Sequence, residues 1–287
     1  MGKTFNILQF PGHKSKAFTL SYDDGVLQDK RLIELFDRYG VKCTFNLGYG
    51  VLGFKGEAGP EGQRIDISKV ETKEVKELYK NHEVGGHGLY HSDLAHIGLP
   101  NAMYEIVEDK AKLESLVGYP LSMFAYPFGL YNEDVKQLLK QAGYKGARTV
   151  KSTHSFDLPE DPFELHPTCH HNDSKLMDLA QEFVSTKSSF KPSLFYVWGH
   201  GYEFDGDDNW ERIEELVSYI AQYKDEIWFA TNGQILSYIK AYDMLEYSVD
   251  GTMVYNPSVL DVDILNAVGY EEHLKAGTVT YLKKTPL

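Results

Sequence analysis

The sequence predicts an α/β protein, a distorted or incomplete (β/α) barrel with a small C-terminal β-appendage. The chain has 287 residues, 42% of them hydrophobic and 25% charged, which suits one large core. From residue 17 to about residue 240, short β-rich runs alternate with segments of helical periodicity, the pattern of βα units around a parallel sheet. After about residue 243 the pattern changes to alternating strands around an Asp-Gly turn. We therefore predict a barrel domain at 1–240 and a β-rich extension at 241–287.

The barrel prediction depends on the number of βα units. The β-rich runs, in chain order, are AFTLSY (17–22), KCTFNLG (42–48), MFAYPFG (123–129), YKGARTV (144–150), LFYVWGHG (194–201) and IWFAT (227–231). The segments with helical periodicity are 29–40, 72–82, 101–118, 132–143 and 210–223. Counting gives six to eight units, the range of a complete or incomplete barrel. The irregular stretch 151–175 interrupts the series, and long excursions of this kind tend to be functional.

Charge and cysteine content limit the classes of partner. The formal net charge is -13 and the isoelectric point is near 5.3, so nucleic acid or an acidic membrane surface would be repelled. No run approaches the length of a membrane span, and the N-terminus lacks the pattern of a signal peptide. The two cysteines, Cys43 and Cys169, are too few for a disulfide framework. These features predict a cytoplasmic protein with a neutral or cationic partner.

Two short stretches carry residues suited to chemistry. SYDDG ends a β-rich run with adjacent carboxylates at Asp23 and Asp24, and EVGGHGLYH places His87 and His91 four residues apart. In a helical turn that spacing presents two imidazoles on one face, able to bind one divalent ion. Among 11 histidines such a pair also arises by chance, as a surface or core pair. A strand-end carboxylate would add an anionic ligand and leave a position open for water, as in catalytic zinc sites.

These stretches resemble the motifs of the polysaccharide deacetylases, the NodB-homology domain of carbohydrate esterase family four. SYDDG is similar to the family's Thr-Phe-Asp-Asp-Gly motif, and EVGGHGLYH is similar to its second motif, which carries two histidines. FAYPFG at 124–129 and WGHG at 198–201 resemble the third and fifth motifs. The resemblance covers about residues 17 to 236.

The resemblance implies a metal-dependent hydrolase that removes acetyl groups. Asp24, His87 and His91 would hold one divalent ion, in the first place Zn2+, with Co2+ or Ni2+ as alternatives. Asp23 would be the general base that activates the metal-bound water, and His200 the general acid that protonates the leaving group. The residues alone leave His200 a second reading, as a strand-end histidine bonded to its neighbours.

The same resemblance assigns further residues to the substrate. Tyr126, Pro127 and Phe128 belong to the motif that lines the substrate groove, and a backbone N–H there would help to stabilise the oxyanion. Trp198 is either a wall of the acetyl pocket or a core aromatic. Tyr202 and Glu203 follow on the same loop and either bind sugar hydroxyls or pack within the loop.

The sequence departs from the family pattern at two points. The Arg that orients the base in many members is Ala125 here, and Arg148 either replaces it or forms an ordinary surface salt bridge. The fourth motif, an Asp-Trp pair that tunes the acid histidine, has no recognisable copy, and Asp157 and His154 are candidates to replace it. The cluster HPTCHH at 166–171 is interpreted as a loop that contacts substrate or solvent rather than as a second metal site.

The expected partner is an acetylated oligosaccharide, polysaccharide or glycoconjugate, cleaved at either an N-acetyl amide or an O-acetyl ester. Two other readings stay open: hydrolysis of a non-acetyl or cyclic amide on the same fold, and a non-catalytic carbohydrate-binding protein. The combination of metal ligands and a base argues against the binding protein, because binding alone has no physical need for both. The oligomeric state is not predicted.

Overall fold

The computed structural model describes residues 6–187 and 190–283. Its strands are β1 (Ile7–Gln9), β2 (Lys16–Asp23), β3 (Cys43–Leu47), β4 (Glu57–Ala58), β5 (Ile65–Asp66), β6 (Glu83–Gly86), β7 (Met123–Ala125), β8 (Gly146–Arg148), β9 (Cys169–His170), β10 (Ser193–His200), β11 (Ile227–Phe229), β12 (Glu246–Tyr247), β13 (Met253–Tyr255), β14 (Val262–Leu265), β15 (Glu271–Leu274) and β16 (Val279–Tyr281). Its α-helices are α1 (Asp29–Tyr39), α2 (Val75–Leu78), α3 (Leu99–Val117), α4 (Glu133–Gln141), α5 (Leu176–Ser185), α6 (Gly201–Gly206), α7 (Trp210–Ala221) and α8 (Asn232–Asp243).

A parallel sheet forms the centre of the molecule. Its strand order is β8-β7-β6-β3-β2-β10-β9, and all neighbours in that order are parallel. The strand β11 pairs with the first half of β2, on the edge where β3 pairs with the second half. All eight residues of β2 are buried, which explains its almost continuous apolar sequence, because strands of parallel sheets are covered on both faces.

The two ends of the sheet meet, and this closes a distorted barrel. The Thr149 N–H donates to the Leu165 carbonyl at 3.0 Å, and the Leu165 N–H donates to the Ala147 carbonyl at 2.9 Å. The residues just before β9 therefore run beside β8, while β9 itself pairs with β10. The predicted distorted (β/α) barrel is confirmed. One position of the ring is filled by the irregular stretch 151–175 instead of a regular strand.

Several helix predictions differ from the structure in detail. The segment 72–82 forms only the short helix α2 after a 3-10 turn, and Glu71 caps this turn. The helix α3 begins two residues before the predicted start at residue 101. We did not predict α5 or α8. The helix α8 is buried on several sides, so its apolar residues do not form the single stripe that marks a surface helix.

The C-terminal residues form two small antiparallel sheets, with strand orders β1-β14-β15 and β12-β13-β16. The predicted hairpin corresponds to β12 and β13, and the last predicted strand corresponds to β16. The strand β1 pairs with β14, Ile7 opposite Leu265, so the N-terminus contributes to the appendage. Such a pairing across more than 250 residues has no local sequence signal. The boundary at 240 stays a prediction.

The described residues contain no helix that combines the length and apolar character needed to cross a bilayer. Cys43 lies in β3 and Cys169 in β9, and both are buried free thiols. The cytoplasmic location stays a prediction.

Candidate active site

The two adjacent carboxylates lie at the C-terminal end of β2. In the sheet register, Asp23 is opposite His200 on β10 and Asn46 on β3. Asp24 has a left-handed backbone, with φ of 83°, and Gly25 follows with φ of 61°. The regular alternation of side-chain direction along the strand therefore ends at Asp23. The turn lets two adjacent like charges face different partners.

Asp23 is held by side chains from the neighbouring strands. Arg148 on β8 donates to its Oδ2, and the Asn46 amide donates to its Oδ1 at 2.8 Å. Arg148 is only 1% exposed, so this is a buried ion pair and not a surface salt bridge. Burial raises the pKa of the Asp23 carboxyl, but the Arg148 guanidinium and nearby imidazoles outweigh it and lower the pKa to about 2. The carboxylate is ionised and fixed in orientation at neutral pH.

Asp24, His87 and His91 bring three ligand atoms together. The Oδ1 of Asp24 lies 3.8 Å from His91 Nε2 and 4.0 Å from His87 Nε2. The Nδ1 of His87 lies 2.7 Å from the Ala125 carbonyl oxygen, which can only accept, so the ring proton is on Nδ1. The lone pair is then on Nε2, which is buried and has no hydrogen-bond partner. Two imidazoles and one carboxylate, so arranged, fit a divalent cation such as Zn2+.

The two histidines reach each other through a turn and not through a helix. Residues 87–91 follow β6 without helical structure, and His91 has a left-handed φ of 57°. Two carboxylates of α3 hold this turn: Asp109 accepts from the His87 N–H at 3.2 Å, and Glu105 accepts from the Tyr90 N–H at 2.8 Å. The imidazole ring centroids are 4.7 Å apart. The expected helical geometry was therefore wrong, although the side chains converge.

A lysine that the sequence analysis did not single out contacts Asp24. The Nζ of Lys69 lies 3.2 Å from the Asp24 Oδ2, and the lysine is buried. Burial raises the pKa of the Asp24 carboxyl, but Lys69 and the surrounding histidines outweigh it and lower the pKa. Lys69 is placed by a backbone bridge to Val26, so no motif near Asp24 could have indicated it.

His200 stands at the end of β10, on the other side of Asp23 from β3. Its Nε2 lies 3.9 Å from the Asp23 Oδ2. Its ring packs near Trp198 and Tyr202, with centroid distances of 5.7 and 5.1 Å. Burial lowers the pKa of His200, but the carboxylates of Glu203 and Asp23 outweigh it and raise the pKa. A histidine that keeps its proton is suited to proton donation.

The three residues of the third motif lie in different environments. Phe128 is exposed, and its ring meets His91 edge to face at a centroid distance of 4.4 Å. Pro127 is buried. Tyr126 is also buried, and its hydroxyl donates to the Phe163 carbonyl at 2.9 Å. Phe128 can therefore touch a ligand, whereas the Tyr126 side chain belongs to the core, which differs from the predicted groove position.

Trp198 and Tyr202 lie on the side of His200. The Trp198 side chain is buried, and the Arg148 guanidinium lies over its ring at 4.4 Å. His170 meets the same indole at a centroid distance of 4.7 Å. Trp198 thus packs against the residue that holds Asp23. Tyr202 is half-buried beside His200 and is the more accessible of the two aromatics.

Glu203 faces histidines instead of open space. Its Oε2 lies 3.2 Å from His170 Nε2, 3.2 Å from His171 Nε2 and 3.4 Å from His200 Nδ1. The sequence predicts that Glu203 binds sugar hydroxyls or packs within its loop, and that HPTCHH contacts substrate or solvent. Both interpretations missed this cluster. A usable signal was present, since Glu203 lies three residues after a strand-end histidine at a helix start.

The two residues considered as replacements for the fourth motif lie elsewhere. Asp157 is paired with Lys191 and accepts from the Ser155 hydroxyl at 2.7 Å. His154 Nε2 lies 2.6 Å from Asp173 Oδ2. Asp157 and His154 therefore contact residues other than His200. The carboxylate that lies nearest to the Nδ1 of His200 among these is that of Glu203, at 3.4 Å.

The amino-acid sequence from residue 11 to residue 147 matches the family model described as polysaccharide deacetylase. This segment, somewhat less than half of the chain, is therefore similar to the polysaccharide deacetylase family. The matched segment of the deacetylase domain contains Asp23, Asp24, His87 and His91 and ends just before Arg148. No curated protein is significantly similar to this chain in sequence.

Solved structures place the deacetylase domain in the fold of carbohydrate esterase family four. The Xyl-CE4 domain of a multidomain xylanase from the hindgut metagenome of Trinervitermes trinervoides is 17% identical, with a TM-score of 0.50 over 78% of this chain and 91% of that one. A CE4 family pseudoenzyme from Bacillus anthracis is 15% identical, with a TM-score of 0.50 over 77% and 65%. A Streptococcus pyogenes deacetylase in complex with acetate is 21% identical, with a TM-score of 0.40 over 46% and 55%. The chain thus spans 55% and 65% of the streptococcal and Bacillus proteins. The similarity to the xylanase domain and the Bacillus protein establishes the fold alone.

Proposed function

We propose that this chain is a metal-dependent hydrolase that removes acetyl groups from a carbohydrate, either an N-acetyl amide or an O-acetyl ester. The observation that carries the proposal is the convergence of five polar side chains at one end of the barrel. Their closest N···O contacts with one another are 3.8 to 4.0 Å. They are Asp23, Asp24, His87, His91 and His200. The C-terminal end of barrel strands is also where enzymes of this architecture act.

The first part of the proposed mechanism concerns the attacking water. A divalent ion, Zn2+ or alternatively Co2+ or Ni2+, fits Asp24, His87 and His91, and it would supply a Lewis acid that polarises the acetyl carbonyl and acidifies water. Asp23 accepts the proton of the water as the oxygen adds to the carbonyl carbon. Arg148 keeps the base ionised and oriented, in place of the arginine that the family carries at Ala125.

The second part concerns the leaving group. His200 donates its proton to the leaving nitrogen or oxygen as the bond to the carbonyl carbon breaks, which releases acetate and an amine or alcohol. Its Nε2 and the Asp23 Oδ2 are 3.9 Å apart, so acid and base address one reacting centre. The backbone N–H groups near 126–128 would help to stabilise the oxyanion, and Phe128 and Tyr202 are positioned to contact the sugar.

The experiment is acetate release by the zinc-loaded protein from N-acetylated chito-oligosaccharides and O-acetylated xylo-oligosaccharides, with a chelator-treated sample as control. We expect chelator-sensitive release from one of the two sets, which also decides between amide and ester. Acetate release that a chelator does not affect would contradict the metal requirement. No release from either set, with metal shown to be bound, would overturn the acetyl substrate and favour another amide or a binding protein.

A further inference from the structure

A second group of histidines and a carboxylate lies beside the proposed acid. The Glu203 Oε2 is within 3.2 to 3.4 Å of ring nitrogens from His170, His171 and His200. His171 is fully buried between the rings of Tyr22 and Phe204. The orientation of the His171 imidazole is thus fixed by the two stacked rings.

Glu203 also binds the backbone of the proposed acid. The His200 N–H donates to the Glu203 Oε2 at 3.0 Å. This bond closes the step from β10 into α6, with Glu203 in the first helical turn. The same oxygen therefore contacts both the main chain and the ring of His200. The backbone hydrogen bond keeps the Glu203 Oε2 in place. Rotation of the His200 imidazole would therefore break the contact between its Nδ1 and this oxygen.

The proton positions distinguish this group from a metal site, although His170, His200 and Glu203 atoms lie within 4.8 Å of one another. The Asn172 N–H donates to the Nδ1 of His170 at 3.1 Å. A backbone N–H can only donate, so the neutral ring carries its own proton on Nε2, the nitrogen that faces Glu203. A protonated Nε2 has no lone pair for a metal. Around Glu203 the histidine contributes an N–H donor.

We propose that Glu203, buttressed by His170 and His171, is a positioning residue that holds His200 in the orientation for proton donation. The inference rests on the proposed function, in which His200 protonates the leaving group. The Nδ1 of His200 lies 3.4 Å from the Glu203 Oε2, and its Nε2 lies on the side of Asp23, 3.9 Å from the Oδ2. The negative charge also stabilises the imidazolium, which is the donor form. This carboxylate comes from the strand–helix junction of the acid itself, outside the motifs that resemble the family.

The test compares two substrates in the variant Glu203→Gln. One is the acetylated oligosaccharide that the wild type cleaves, whose leaving group needs a proton, and the other is an aryl acetate, whose phenolate leaves without one. We expect kcat to fall by roughly 10²-fold on the oligosaccharide and by less than about 3-fold on the aryl acetate, because only the acid step is affected. Zinc content should stay at one equivalent. The control is Glu211→Gln, an exposed glutamate on α7, which should change neither.

Two results would overturn the proposal. Equal losses of kcat on both substrates would show a general structural role for Glu203. Two zinc equivalents in the wild type, falling to one in Glu203→Gln, would show that the group binds a metal.

Histidine ¹⁵N NMR tests the same inference without turnover. The ring signals of His200 and His170 should move in Glu203→Gln and stay in place in Glu211→Gln, and unchanged signals would contradict the proposal. A wild type that releases no acetate but shows these NMR shifts would count against the proposed function only.

Discussion

Two groups of histidines and carboxylates lie at one end of this barrel, and one histidine in each group carries its ring proton on the opposite nitrogen. We refer to them as the metal group (Asp24, His87, His91) and the proton group (Glu203, His170, His171, His200). In the metal group, a backbone carbonyl accepts a hydrogen bond from the Nδ1–H of His87, so the inner nitrogen, Nε2, carries the lone pair. In the proton group, a backbone N–H occupies the Nδ1 of His170 and leaves a proton on the inner nitrogen.

Under the proposed function, the difference implies that residue type alone does not decide between metal binding and proton transfer. Both groups consist of imidazoles about 3 to 4 Å from a carboxylate. The deciding contact is on the far side of each ring, where a carbonyl or an N–H group fixes the tautomer. Those contacts come from Ala125 at the end of β7 and from Asn172 just after β9.

The largest effect that tests the comparison is expected for His87→Ala. Removal of this ligand should lower zinc affinity by more than about 10²-fold and reduce acetate release below detection, because metal and activity depend on the same nitrogen. Metal analysis after dialysis, together with acetate release, measures both. His96→Ala removes an exposed histidine bonded to Asp93 and is the matched control. Full zinc content in His87→Ala would contradict the assignment of His87 as a metal ligand.

Asp23→Asn separates metal binding from catalysis. Zinc content should stay at the wild-type value, while kcat should fall by roughly 10²- to 10⁴-fold because the amide cannot accept the proton. The same metal and acetate measurements apply, with the exposed Asp134→Asn on α4 as control. An Asp23→Asn variant with full activity would show that Asp23 is not the base. The proton group would then have no identified base to act with.

Lys69→Met tests how charge is balanced in the metal group. The ammonium lies 3.2 Å from the Asp24 Oδ2 and repels a cation bound at the same carboxylate. Its removal should raise zinc affinity by roughly 10-fold, measured by competition with a chromogenic chelator. Lys73→Met, an exposed lysine on the following turn, should have no effect. A lower zinc affinity in Lys69→Met would show instead that Lys69 mainly keeps Asp24 in position.

Asp29 offers a third carboxylate for comparison, buried in α1 with a tyrosine as its hydrogen-bond donor. The Tyr79 hydroxyl donates to it at 2.7 Å, and burial raises its pKa from the usual 3.8 to about 8. Because the folded state binds this proton more tightly than the unfolded state, Asp29 stabilises the fold at low pH. That contribution is lost as the pH rises from about 4 to about 8, by at most about 1.4 kcal/mol per pH unit.

Asp29→Asn should therefore flatten the pH dependence of the unfolding free energy in this window, measured by urea denaturation at pH 5, 7 and 9. The exposed Asp225→Asn should keep the wild-type dependence. A pH dependence in Asp29→Asn as steep as in the wild type would show that the Asp29 carboxyl ionises without cost. It would then resemble the charge-compensated carboxylates of the other two groups.

The amino-acid sequence was enough to predict the fold class, most strands of the barrel and the polar residues at the ends of two of them. Alternating β-rich and helical segments predicted the parallel sheet, because burial on both faces leaves an apolar signature in each strand. The pairs Asp23–Asp24 and His87–His91 could be recognised because the two members of each pair are close in sequence and lie at strand ends. The register of β2 with β10 then places His200 opposite Asp23.

Only the tertiary structure decided what each side chain contacts. Arg148 reaches Asp23 across 125 residues of sequence, and β1 joins β14 across the whole chain, so neither has a local signal. Tyr126 matched a groove motif but faces the core. The tautomer of His87 depends on the carbonyl of Ala125, 38 residues away in sequence. Sequence motifs specify which atoms are available for chemistry, whereas packing fixes the distances, the charges and the protons that chemistry requires.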